Sequence, residues 1–273
     1  KKEKSLKQAC KVKGIYIGVG LAVAAIAIIY FGFSNKPPVV TAFDDQREKL
    51  IDSLQFPNGE QLMEMHHDMQ KASASSKAAL LQQLSDEWLQ IGQPVIAADY
   101  LRQKAESEPT YENFMRAGSA LSSLIDFVQE EDLRVSVVYG ARFCFEEAGK
   151  LKPEDLDAKI GLATVLVSGT NAPMEGIMML REIDAQHPDN IQVNLELGRF
   201  SVMSGQMEKA LERFDRVLQK DSLNLQARYM KAQTYLGLKD TSGAILELEK
   251  LKSMTTDSMI INQVRTEIHN LNH

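Results

Sequence analysis

Residues 191–224 lie over residues 225–258 at a shift of 34 positions, with small residues on small and large on large. Gly198 meets Ala232, Ala210 meets Ala244, Phe214 meets Leu248 and Val217 meets Leu251. The same step backwards gives a unit at 157, with Gly176, Leu180 and Ile183 in the places of Ala210, Phe214 and Val217, and Pro188 at its close. An earlier unit starts near Ala78 and puts Trp88, Gly92, Ala97, Leu101 and Pro109 at the corresponding steps. A repeat of this length is one supersecondary unit that cannot bury its apolar face alone, so several must stack around a continuous core. From Thr41 onward there is almost no alternating apolar and polar pattern of the kind a strand shows, so the expected fold class is all-α.

The departures from the register also predict structure. Pro109 and Pro153 are 44 residues apart rather than 34, so the second unit carries about ten extra residues, expected as longer helices through Leu121–Lys150. One closing position is Ser222 instead of proline. After the last unit, residues 259–273 read as a capping helix with Met259, Ile260, Val264 and Ile268 on its inner face.

A 34-residue period with small residues at helix contacts, a large apolar residue four positions after the second small one, and a proline at the end resembles the tetratricopeptide repeat, over Ala78 to Asp257. No unit meets the whole family skeleton: one has Leu197, Gly198, Gly205, Ala210 and Phe214, the next Ala232, Tyr235 and Ala244, the first Trp88, Gly92, Ala97 and Pro109. The resemblance implies an α-solenoid of helical hairpins whose first helices line a groove for peptides or helices of other proteins. The groove positions it implies are Gln192, Leu195, Arg199, Val202 and Met203 in one unit and Gln226, Tyr229, Gln233 and Leu236 in the next; the alternative for each is a solvated or self-packed face. Relatives that hold chaperone tails use a Lys/Asn/Arg clamp on successive first helices. The fifth positions here are Gln82, Arg116, Gly161, Leu195 and Tyr229, which do not form one.

Ahead of the repeats the charge is uneven. Lys1–Lys13 carries six lysines and one glutamate, so within a formal net charge of −6 the rest of the chain holds −11. An acidic body without a basic stripe argues against nucleic acid. Gly14–Phe33 is twenty residues without a charge, long enough as a helix to cross a hydrocarbon core of about 30 Å. Tyr16, Tyr30, Phe31 and Phe33 stand near its ends, where aromatic rings meet headgroups. We read residues 14–33 as an uncleaved transmembrane helix; a secretory signal is the rival, with Gly32-Phe33-Ser34 a poor cleavage site. The lysines then leave residues 1–13 in the cytoplasm and send the body across, into the periplasm of a bacterial inner membrane or an organellar equivalent. Gly14 and Gly18 form a G-x-x-x-G spacing that leaves room for a helix contact in the bilayer. Residues 34–77 are expected to be a proline-led linker (34–40) and N-terminal helices. The turn signal Phe56-Pro57-Asn58-Gly59 falls within them, and the run from Lys71 to Ala79 reads as a hinge or linker. Residues 78–258 are the solenoid, of four to five repeats.

Catalytic sets are not expected, and neither is a cofactor or metal. There is no phosphate-binding glycine loop, nucleophile elbow or metal-spaced Cys pair. Cys10 and Cys144 sit in unlike settings, with Cys144 expected in the core. Met63, His66 and Met69 follow at i, i+3 spacing, with Met65 and His67 between, and could turn soft ligands toward a metal; core packing is the plainer reading of such methionines. Glu130–Glu131 and Glu146–Glu147 are neighbours on a helix and do not face each other.

An anchor followed by an extracytoplasmic repeat body resembles two bacterial groups: accessory subunits of the protein-export channel, and cytochrome c maturation subunits that present apocytochrome. The first implies a scaffold at an export or envelope-assembly complex, the second a carrier of apocytochrome tails. A self-associating tether is a third expectation.

Overall fold

The computed structural model describes residues 39–52, 59–170 and 173–272, and the segments 1–13 and 14–33 lie outside them. The described residues form thirteen α-helices and no strand: α1 Val39–Asp52, α2 Gly59–Lys71, α3 Ala74–Gln90, α4 Pro94–Ser107, α5 Tyr111–Ser122, α6 Glu131–Leu151, α7 Leu156–Gly169, α8 Pro173–Gln186, α9 Ile191–Met203, α10 Met207–Lys220, α11 Leu225–Gly237, α12 Thr241–Met254 and α13 Ser258–Leu271. No described helix is long and apolar enough to cross a membrane.

Helix starts follow from short polar side chains that take up otherwise orphaned backbone N–H groups. Thr110 accepts from Asn113 N, Asp155 from Asp157 N and Ala158 N, Asn190 from Val193 N, Asn224 from Ala227 N, and Asp257 from Met259 N and Ile260 N. These residues open α5, α7, α9, α11 and α13, the first helices of successive units. The stops repeat as well. Gln93 N donates to Trp88 O at 2.9 Å, Gln206 N to Ser201 O at 2.8 Å and Asp240 N to Tyr235 O at 2.9 Å, each spanning five residues as in a Schellman turn. The middle residue of each turn is left-handed: Gly92 at φ 77°, Gly205 at 75°, and Lys239, which lacks glycine's freedom, at 62°. All three occupy one position of the 34-residue unit.

Five hairpins result, α3/α4, α5/α6, α7/α8, α9/α10 and α11/α12, each packed on the next, with α13 closing the stack against α12. Close approach within a hairpin needs a missing side chain. A Cβ on Gly176 would stand 2.3 Å from the Ala163 carbonyl oxygen, and one on Gly198 would stand 2.5 Å from the Phe214 ring. The core runs on between units: Ile160 and Leu180 pack with Val193 and Leu197, and Phe214 with Leu195 and Ala227.

Several expectations are refined here. The extra residues of the second unit do not lengthen both helices: α5 has 12 residues, α6 has 21, and Ser123–Glu130 is an irregular connection between them. That enlargement makes room for α1, whose Phe43 packs among Leu121, Ile125, Val128, Leu133 and Val137. Val39 and Val40, read as linker, already belong to α1. The break in the Lys71–Ala79 run is confined to Ala72 and Ser73, because the following alanines and serines continue as α3. On α13, Val264 and Ile268 are buried and Ile260 packs beside them, whereas Met259 is 78% exposed, since Ile260, Val264 and Ile268 share one face at i, i+4 spacing and Met259 falls off it. Of the turn signal Phe56-Pro57-Asn58-Gly59, the first three residues lie outside the described residues, and Gly59 opens α2.

Candidate partner-binding groove

The first helices lay their exposed faces side by side, and α5, α7 and α9 enclose a groove of about 620 Å³. Met115, Ser119 and Ser122 come from α5; Asp157, Ile160, Gly161, Thr164 and Ser168 from α7; and Gln192, Glu196 and Arg199 from α9. Gln226 of α11 closes one end, Ser123 and Asp126 the other, and Phe145 of α6 shows through where Gly161 has no side chain. The wall therefore combines hydroxyls and amides with apolar surface from Met115, Phe145 and Ile160 in about equal measure.

Its charges are held in place. Glu196 is 8% exposed, and its Oε2 accepts from Arg199 Nε at 3.2 Å and Nη2 at 3.1 Å, while Oε1 accepts from Gln192 Nε2 at 3.2 Å. Arg199 also donates to Ser168 Oγ at 2.9 Å, across to α7, and lies over the Phe200 ring at 4.4 Å. Burying Glu196 is tolerable because these partners replace water. Asp126 and Asp157 stand exposed on the same groove, so its carboxylates outnumber its one guanidinium.

Of the expected groove residues, Gln192, Arg199 and Gln226 line it. Leu195 does not: it is buried with Ala210, Phe214 and Ala227, because α9 is gripped on two sides by neighbouring hairpins. Val202 packs against that same core, and Met203 is exposed at the end of α9. Tyr229 and Gln233 are taken up by the capping helix. Tyr229 packs against the α12–α13 core, Gln233 donates to Glu267 of α13, and burial and then the Glu267 charge raise the Tyr229 hydroxyl pKa. Gln233 and Glu267 are 34 residues apart, so α13 sits in register as the first helix of a further unit. Leu236 is partly buried. At the fifth positions, Arg116 donates to Gln82 Oε1 at 3.1 Å, and that oxygen also accepts from Lys104 at 2.9 Å.

Glu196 and the α5 residues were not foreseen. Carrying the groove positions one unit back would have found Gly161 and Ser168; Ser119, Ser122 and Asp126 had no such signal, because the register is lost in the enlarged unit.

The residues weighed for chemistry are dispersed. Met69 is buried in the core beside Trp88 and Tyr100, Met63 and His67 point outward, and His66 Nδ1 lies 2.8 Å from the Tyr100 hydroxyl. Burial, helped by the Arg47 charge, lowers the His66 pKa to about 4. Cys144 is buried, and burial pushes its thiol up to about 12, against the pull of Arg102, so little thiolate exists near neutrality. Among the described residues, no three His, Cys, Asp or Glu side chains gather as metal ligands.

The hairpin stack with a groove on its first helices defines an α-solenoid. The tetratricopeptide repeat family model matches residues 202–260, from the end of α9 to the start of α13. A thermophilic tetratricopeptide repeat protein of Thermus thermophilus is similar at a TM-score of 0.54 and 14% identity, over 71% of this chain and 98% of that one. A tetratricopeptide repeat protein from Parabacteroides merdae matches at 0.44 and 13%, over 87% and 100%. YrrB, described as having an unusual peptide-binding site, matches at 0.41 and 17%, over 74% and 97%. No curated protein matches in sequence. The fold is thus that of a tetratricopeptide-repeat solenoid, with the family match confined to its C-terminal part.

Proposed function

We propose that this chain is a scaffold that holds an extended segment of a partner protein in the groove between α5, α7 and α9. The observation that carries this reading is the groove itself: about 620 Å³, with polar side chains contributed in series by three units among apolar ones, and Arg199 fixed by Glu196 and Ser168 before any ligand arrives. Hydroxyls and amides spaced along a cleft suit main-chain N–H and C=O groups, and a prearranged wall reduces the ordering cost of binding. No set of side chains on that wall pairs a nucleophile with a base, which favours binding over catalysis.

The apolar, lysine-preceded segment 14–33 supports the finer part of the proposal: a single membrane anchor, a body on the extracytoplasmic side, and a role as accessory subunit of an inner-membrane export or envelope-assembly complex. Affinity capture from detergent extracts, read by mass spectrometry, tests the groove. Ser119→Arg with Gln192→Arg puts bulk into it from two positions on its wall, and should release membrane subunits that the unaltered chain retains, with the same melting curve. Recovery of the same subunits from both chains would remove the groove from the proposal. Protease shaving of intact spheroplasts tests the orientation: a body cleaved only after membrane disruption would contradict it.

A further inference from the structure

α9 has a second working side. Gln192, Glu196 and Arg199 face the groove, while Leu197, Phe200 and Ser201 face a separate cavity of about 210 Å³ between α8 and α10. Arg181 enters it from α8, and Lys209, Arg213 and Arg216 from α10, against one carboxylate, Glu212.

These cations differ in how they are satisfied. Arg213 is fully used: it makes a two-pronged pair with Asp184, at 2.6 and 2.8 Å, and also donates to Asn194 at 3.0 Å. Asp184 is thereby unavailable to its neighbours. Lys209 is held at the rim, donating to Gln206 Oε1 at 2.7 Å, while Gln206 in turn donates to Ser204 Oγ at 2.7 Å. Arg181 and Arg216 have no hydrogen bond or ion pair with any described residue. Every other described arginine has one, most of them to carboxylates. In a body whose net charge is −11, the two unpartnered arginines among the described residues thus converge on one recess with an apolar floor.

We infer that this recess is a second docking site, separate from the groove, that takes a short acidic segment of a partner polypeptide, its carboxylates on Arg181 and Arg216 and an apolar side chain on the Leu197–Phe200 floor. Guanidinium forks match carboxylates in shape as well as charge. A recess of about 210 Å³ whose lining carries four cations and one carboxylate admits a discrete segment rather than an extended anionic surface such as a bilayer.

The test uses the detergent-solubilised full chain and anisotropy of a labelled Asp/Glu-rich peptide carrying one Leu. Binding should weaken about 10-fold or more in Arg181→Ala/Arg216→Ala and fall with added salt. It should be unchanged in Ser119→Arg/Gln192→Arg, so that failure of the groove reading and failure of this one are told apart. Both arginines are exposed at the rim, and circular dichroism melts should coincide. Four outcomes overturn the inference: no peptide binding into the millimolar range, equal binding by the double variant, arginine-dependent capture of anionic-lipid vesicles in place of the peptide, or arginine-dependent self-association with no peptide bound.

Discussion

The C-terminal hairpins α7–α12 and the N-terminal part α1–α6 assemble the same kind of stack by different means. From Leu156 to Met254 the chain repeats, and each interface is specified locally by a glycine or alanine facing a large apolar residue, as Gly198 faces Phe214. Two of its ion pairs bridge different helices, Arg213 to Asp184 at 2.6 Å and Arg228 to the buried Glu247 at 2.8 Å, beside the Glu196–Arg199 pair within α9. In the N-terminal part, α1 and α2 stand outside the register, and buried polar groups mark where they and α4 meet the stack. Arg102 pairs with Asp99 and Glu106 at 2.6 Å within α4, its stem against Gly140 of α6. Arg47 of α1 pairs with Asp44 and lies over the Tyr100 ring, and Tyr100 meets His66 of α2. A repeated sequence can rely on the same apolar contact many times, whereas a helix that packs once needs directional contacts to select one pose.

This contrast can be tested directly, and the largest effect is on large core side chains. Phe214→Ala and Trp88→Ala should each cost about 4 kcal/mol. In a stack of nearest-neighbour contacts, hydrogen exchange should show the loss mainly in the altered half. Global loss of protection in both variants would mean that the two parts fold as one unit. Next comes the buried charge. Arg102→Ala removes the cation from Asp99, which is 2% exposed and keeps only Gln103 Nε2 at 2.7 Å as a side-chain donor, and should cost about 3 kcal/mol in denaturant titration. Adding Asp99→Leu should recover much of that; no recovery would show that packing of the Arg102 stem, rather than charge, is what matters.

Smaller and confined to α1–α4 is the effect of pH. The His66 pKa is lowered to about 4 in the fold, against an ordinary value of 6.5. Between those values the unfolded chain takes a proton that the folded chain refuses, so the contact of α2 with α4 is at full strength above pH 6.5 and weakens as pH falls toward 4. An NMR titration placing His66 at or above 6.5 would contradict this, and His66→Gln should flatten the pH dependence in that window. The smallest effect has the opposite sign. Lys239→Gly relieves a left-handed φ of 62° and should stabilise the last hairpin by roughly 0.5–1 kcal/mol, visible as a small rise in Tm. Gly205→Ala, at φ 75° in the equivalent turn, should destabilise by a similar amount.

Where the register holds, the fold was legible. Ala210, Phe214, Ala244 and Leu248 could be placed in the core from spacing alone, and are fully buried. The groove was legible only in part. Gln192, Arg199 and Gln226 were found by position, but the same rule picked Leu195, which neighbouring hairpins cover, and Tyr229 and Gln233, which α13 claims. Periodicity reports which side of a helix is apolar; it does not report how many neighbours press on the other side.

The sequence by itself determined the all-helical stack, its 34-residue step and the capped and glycine-marked turns, because propensity, capping and small-to-large contacts act over a few residues or one repeat. Only the tertiary structure decided that α1 folds onto α6, that Glu196 and Arg199 form one wall with Ser168, and that Arg181 and Arg216 face one recess. Those outcomes depend on which side chains from different units arrive at the same place and on whether a partner of opposite charge arrives with them, and that is set by packing in three dimensions.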